Sequence, residues 1–202
     1  LRTKENNLHI LHLATCNKDP KVTQAVFESK QLMNIDKNVT TINGSTVFHY
    51  AAQNPHSPKP LAYLLKNATK LNLKINQLDN FHQNVFHFAC VFGIEETIKL
   101  LIQNAKKYTI DLNARGIQGN TPFNIACFYG KLLTVKILLK DAKKYNINVC
   151  SKDNNGIDGQ ALAEQEGHNE IVKLINWWKK NPRLIGALFF ELKVKLILAN
   201  TD

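Results

Sequence analysis

The chain has 202 residues, a net charge of +10 and a 44% share of apolar residues. That share is ordinary for a folded protein and excludes a chain too polar to bury a core. No apolar run reaches the roughly 18 residues that a membrane-spanning helix needs, because Glu191, Lys193 and Lys195 break the longest one.

Taken in order, the chain is self-similar. Leu11-His12-Leu13-Ala14, Phe48-His49-Tyr50-Ala51, Phe86-His87-Phe88-Ala89, Phe123-Asn124-Ile125-Ala126 and Gln160-Ala161-Leu162-Ala163 follow one another at steps of 37, 38, 37 and 37 residues. A fixed period of this size is the signature of a solenoid. The one longer step falls in Asn54-Pro55-His56-Ser57-Pro58-Lys59-Pro60, an irregular segment that absorbs it.

Each unit parses alike. Thr46, Asn84, Thr121 and Asp158 stand two residues before the apolar pair, where their side chains can accept a hydrogen bond from first-turn amides. Pro122 follows one of them, at a helical position where proline is tolerated. Gly44, His82, Gly119 and Gly156, with Asn7 in the first unit, precede the caps by two. A turn entering a helix there requires positive φ, which Gly accepts best and Asn or His tolerate.

Gly93, Gly130 and Gly167 end the first helix. A second amphipathic helix follows, through Thr97–Ile102, Thr134–Leu139 and 171–175, with Pro60–Leu65 as its counterpart in the second unit. The alternating segments Tyr108–Asn113 and Tyr145–Cys150 read as extended hairpin arms.

Gly-x-Thr-Pro-Phe-Asn-Ile-Ala-Cys-Phe-Tyr-Gly, then Thr-Val-Lys-Ile-Leu-Leu, then Ile-Asn-Val, resembles the ankyrin repeat, whose unit is about 33 residues of hairpin plus two antiparallel helices. Ala105-Lys106-Lys107-Tyr108 and Ala142-Lys143-Lys144-Tyr145 supply the extra length. The resemblance covers about residues 5 to 178; Lys18 and Pro55 replace the helix-ending glycine in the first two units. It implies an all-α repeat solenoid of stacked helix-turn-helix units joined by short hairpin-like connections. The expected domain is 1–180, with repeats at about 5–40, 41–78, 79–115, 116–152 and 153–180. The remainder, 181–202, is expected to be an amphipathic capping helix or the start of an adaptor motif. Leu188-Phe189-Phe190-Glu191-Leu192 is similar to the opening of an F-box, with Phe189 in place of the usual proline.

No paired-carboxylate motif, serine triad order, phosphate-binding glycine loop or cofactor motif occurs, so neither an enzyme nor a cofactor is expected. The resemblance implies that His12, His49 and His87, in one slot of successive units, tie neighbouring hairpins together. Spaced by a whole repeat, they cannot share one metal at a ligand distance of ~2 Å. Cys90 and Cys127 share another slot and are expected to be buried packing residues. The four cysteines show no CxxC spacing, which points to a reducing compartment, cytoplasm or nucleus. The sequence opens on Leu1 without a secretory leader, as a mature form or a fragment of a longer chain does.

Partner binding is the expected function. In the ankyrin family the two residues before each helix-ending glycine face the concave groove. Here they are Val91 and Phe92, then Phe128 and Tyr129, with Gln53 and Asn54 one unit earlier and Gln165 and Glu166 one later. The hairpin tips add Ile42, Asp79, Asn80 and Phe81, then Arg115, Ile117 and Gln118, then Lys152 and Asn154 as exposed contacts for a protein or peptide. The protein is taken as a monomer by default. Two other readings stand beside this one. The C-terminal segment can recruit a ubiquitin-ligase subunit. The lysine columns Lys99, Lys136, Lys173 and Lys70, Lys107, Lys144 can hold nucleic acid or an anionic surface on the convex face, although no aromatic residues interleave them for stacking. Lys and Asn are both abundant, so the basic charge reads equally as compositional bias.

Overall fold

A computed structural model describes residues 8–181. Asn7 and, but for Asn181, the expected C-terminal cap or F-box-like segment, 181–202, lie outside the described residues. Among those residues the chain forms ten α-helices in five antiparallel pairs: α1 (Ile10–Thr15) with α2 (Pro20–Phe27), α3 (Val47–Ala52) with α4 (Lys59–Asn67), α5 (Val85–Phe92) with α6 (Glu95–Tyr108), α7 (Pro122–Phe128) with α8 (Leu132–Tyr145), and α9 (Gly159–Gln165) with α10 (Asn169–Lys180). The short first helices form one row, α1 against α3, α5, α7 and α9 in succession, and the second helices pack behind them.

Local chemistry explains the helix starts. Thr46, Asn84, Thr121 and Asp158 are the N-caps of α3, α5, α7 and α9, and each side chain accepts a first-turn amide N–H. His9 does the same for α1, accepting Leu11 N–H at 3.2 Å, and its own backbone N–H donates to His12 Nδ1 at 3.1 Å. The turns before the caps hold positive φ at Gly44, His82, Gly119 and Gly156, as the sequence requires.

One expectation is corrected. Tyr108–Asn113 and Tyr145–Cys150 are not extended arms: α6 and α8 run through Tyr108 and Tyr145, and the chain then reverses at Thr109 and Asn146 with φ of 53° at each. The Ile110 and Ile147 amides return to the carbonyls of Ala105 and Ala142 at 2.9 and 2.8 Å, closing each helix in a left-handed cap. The alternation comes from burial, since Ile110, Leu112, Ile147 and Val149 all point into the core. Turns with isolated bridges, such as Lys152 with Asp158, replace strands among the described residues.

The core is a set of columns. Leu11, Phe48, Phe86 and Phe123 occupy one position of successive units and are fully buried. Beside them runs the histidine slot. Nε2 of His12, His49 and His87 lies 3.2, 3.1 and 3.2 Å from the carbonyls of Ser45, Gln83 and Asn120, each in the following unit's turn. Nδ1 of His49 accepts the Thr46 N–H at 3.0 Å, so the ring proton sits on Nε2 and is donated across the interface. Asn124 takes the slot in the fourth unit and donates from Nδ2 to the Ser151 carbonyl at 3.1 Å.

A further column joins the units at the far side of the turns. Asn38 donates to the Asn72 carbonyl and accepts the Lys74 N–H, and Asn113 does the same with Asn146 and Asn148, all at 2.7–2.8 Å. Asn76, between them, donates to the Tyr108 carbonyl at 3.0 Å.

The last pair of units is joined by contact rather than by a slot residue. A Cβ at Gly159 would lie 2.9 Å from Cε1 of the buried Phe123 ring and 3.1 Å from Cys127 Sγ. Gly159→Ala is therefore expected to destabilise the protein by about 1–3 kcal/mol through overpacking, read as a lower urea midpoint.

Candidate groove

The first helices end in a way that presents aromatic rings. α5 runs to Phe92 before Gly93 turns left-handed, and α7 runs to Phe128, with Tyr129 as its cap before Gly130. Phe92, Phe128 and Tyr129 are left 45, 40 and 51% exposed. The Phe128 and Tyr129 rings meet edge to face, with centroids 5.0 Å apart and planes at 88°.

The hairpin turns make the opposing wall. Their backbones are laddered: Asn80 N–H to the Asn43 carbonyl at 2.9 Å, Ile117 N–H to Phe81 at 2.9 Å, and Asn154 N–H to Gln118 at 3.0 Å. This ladder fixes the spacing of the tips and leaves Ile42, Phe81 and Ile117 more than half exposed. Between the turns of the last three units and α7 lies a cavity of about 610 Å³. It brings together Phe81, Ile117, Gln118, Phe128 and Tyr129, five residues singled out in the sequence.

The other candidates are distributed differently. Gln53 caps α3 and Val91 lies on α5; both are half-buried and, like Phe92, lie outside this cavity. Asp79 is a correction. It is 5% exposed, and its Oδ1 accepts the Phe81 and Gln83 amides at 2.9 and 2.8 Å, so it builds the turn instead of offering a contact. Burial pushes its carboxyl above the usual range. Asn54 is likewise buried and donates to the Thr15 and Asn17 carbonyls at 2.9 and 3.0 Å.

The polar tips are exposed but already engaged. Asn80 donates to the Ile42 carbonyl and Asn154 to that of Ile117, both at 2.9 Å. The Arg115 guanidinium donates to Ser151 Oγ, to the Lys152 carbonyl and to Asn154 Oδ1. Gln165 and Glu166 are exposed at the end of α9.

A column unremarked in the sequence forms the groove floor. Leu13, Tyr50, Phe88, Ile125 and Leu162 share one position of the five units. Tyr50 and Phe88 pack against the His12 and His49 rings at centroid distances of 5.0 and 4.6 Å, and Ile125 and Leu162 line the cavity. Their even spacing was legible; their role was hidden because apolar residues on a short helix read as core.

The buried imidazoles are held in the neutral form. Desolvation lowers His49 and His87 to about 4, against the opposing pull of their carbonyl partners, and lowers His12 in the same direction. Burial also raises the Cys90 and Cys127 thiols, which makes them poor nucleophiles. Among the lysine columns, Lys99 pairs with Glu95 and Lys70 lies 3.9 Å from Glu28. Lys107 and Lys144 lie 4.9 and 4.8 Å from the centroids of the Tyr108 and Tyr145 rings, so aromatic residues do adjoin one of these columns, contrary to expectation. No helix among the described residues is long and apolar enough to cross a membrane.

Residues 72–153 match the family described as ankyrin repeats, in three copies. Ankyrin repeats are generally protein–protein interaction modules and typically non-enzymatic. The match spans α5 to α8 and the turns on either side, the part of the chain that carries Phe81, Ile117, Phe128 and Tyr129. The paired helices and the capped turns agree with this match, which identifies residues 72–153 as ankyrin repeats.

Proposed function

We propose that the protein is a non-enzymatic binding module whose ankyrin array extends beyond residues 72–153 to all five helix pairs. It takes a partner protein or peptide in the groove between the hairpin turns and the first helices. The observation that carries this reading is the 610 Å³ cavity, in which the exposed Phe128 and Tyr129 of a helix end converge with Phe81 and Ile117 of two hairpin turns. Aromatic anchors at the centre of a concave, mostly apolar surface are the usual energetic focus of an interface. The four cysteines are free thiols, which supports a cytoplasmic or nuclear setting.

The double substitution Phe128→Ala with Tyr129→Ala is expected to weaken partner binding by about 30-fold or more, corresponding to at least ~2 kcal/mol. Because both side chains are substantially exposed, the urea midpoint is expected to stay close to wild type. Affinity capture with both forms checks this; equal recovery of bound protein by the two would sink the site assignment.

A further inference from the structure

The chemistry of the cavity wall selects among peptides, and this step rests on the groove reading above. Among the described residues that line the cavity, one carries a charge, the Asp153 carboxylate. It is 9% exposed and closes its turn as Asp79 does, with both bonds to the backbone, from Asn155 and Ile157 N–H at 2.9 Å, on Oδ1; unlike Asp79, it lines the cavity. No lysine or arginine lines the space. Arg115, close by in sequence, spends its donors on Ser151, Lys152 and Asn154.

A second observation points the same way, the aromatic rim of Phe81, Phe128 and Tyr129, whose ring faces attract cations. A carboxylate and aromatic faces both favour a ligand rich in donors and positive in charge. Guanidinium suits them better than ammonium, because it is planar, stacks on rings and carries five donors in a fixed fork.

We infer that the groove binds an extended peptide carrying an arginine next to a bulky apolar residue. The guanidinium is held by Asp153 and the aromatic rim, and the apolar neighbour rests on Ile125 and Leu162. The cavity volume falls within the range of roughly 300–1,000 Å³ typical of ligand sites, which suits a short peptide segment rather than a folded surface. The chain's net charge of +10 opposes a cationic peptide only at long range, where salt screens it.

The test uses the full chain and fluorescein-labelled peptide pools whose central residue is fixed as arginine, citrulline, lysine or glutamate between mixed apolar positions, followed by fluorescence anisotropy. Citrulline keeps the shape of arginine and loses the charge. The arginine pool is expected to bind at least tenfold more tightly than the citrulline and glutamate pools. Asp153→Asn keeps Oδ1 for the two turn amides while removing the charge, and is expected to erase most of that preference without changing the urea midpoint. Equal binding of all pools, tighter binding of the glutamate pool, or an arginine preference untouched by Asp153→Asn overturns the inference, as does no binding of the arginine pool at millimolar concentration. The double substitution at Phe128 and Tyr129 separates the two levels. If it abolishes binding that shows no arginine preference, the groove reading survives and the arginine inference fails. If pool binding is indifferent to it, the groove reading itself fails.

Discussion

Lowering the pH from near 7 to about 4 is expected to remove about 6 kcal/mol of folding stability through His49 and His87 alone. In the unfolded chain these imidazoles take up protons near pH 6.5, whereas in the folded stack burial holds both to about 4. Between those values the unfolded state binds more protons, so stability is fully present above pH 6.5 and is lost as the pH falls toward 4. Each contributes about 3 kcal/mol at the lower end, at 1.36 kcal/mol per unit. His12 is shifted in the same direction and adds to the loss, while the raised carboxyl of Asp79 acts in the opposite sense. Against the 5–15 kcal/mol that holds a typical domain together, the combined loss is large enough to unfold much of the stack.

The fourth unit provides the control. Asn124 occupies the histidine slot and keeps the bond to the next turn, so His87→Asn is expected to preserve that bond and to flatten the pH dependence by about one proton. Far-ultraviolet circular dichroism with urea melts at several pH values reads both. A wild-type urea midpoint that does not fall between pH 7 and 4 contradicts the account.

Phe86→Ala is expected to cost about 3–5 kcal/mol. Phe86 is fully buried in α5, which packs against α3 on one side and α7 on the other, so the cavity opens in the middle of the array. In a solenoid each unit contacts only its neighbours and stability is close to a sum of unit and interface terms. Weakening the central unit therefore uncouples the two ends. The urea transition is expected to move to lower denaturant and to lose slope, since the ends then melt separately. A parallel shift with the slope unchanged would show that the five pairs remain one cooperative block.

The period was the most legible property of the sequence, because caps and positive-φ residues recur with it. Thr46, Asn84, Thr121 and Asp158 announce four helix starts, and each one caps a helix. The failures arise where one residue type serves two physical ends. Asp79 reads as an exposed turn charge, but its carboxylate closes the turn on itself. Ile110 and Leu112 alternate as a strand would, yet they do so because a left-handed cap directs both inward. The place of Phe128 and Tyr129 before Gly130 was legible, and both rings lie exposed along the cavity. The floor beneath them depends on how neighbouring units close over one another, which no single repeat encodes.

The bridging slot runs His12, His49, His87, Asn124, Ala161 from one end of the array to the other. Three proton-sensitive links thus stand at the amino-terminal end, an inert amide follows, and the last position holds a methyl group. The array has a chemical grain. Mild acid works on the three histidine joints, the last of which, His87 to the Asn120 carbonyl, reaches the cavity wall, while the joint between the fourth and fifth units is held by an amide that does not titrate in that range. An acidified molecule is therefore expected to fray from the amino-terminal side and to keep the fourth and fifth units paired longest, so that the proposed groove loses its Phe81 side before its Phe128 side.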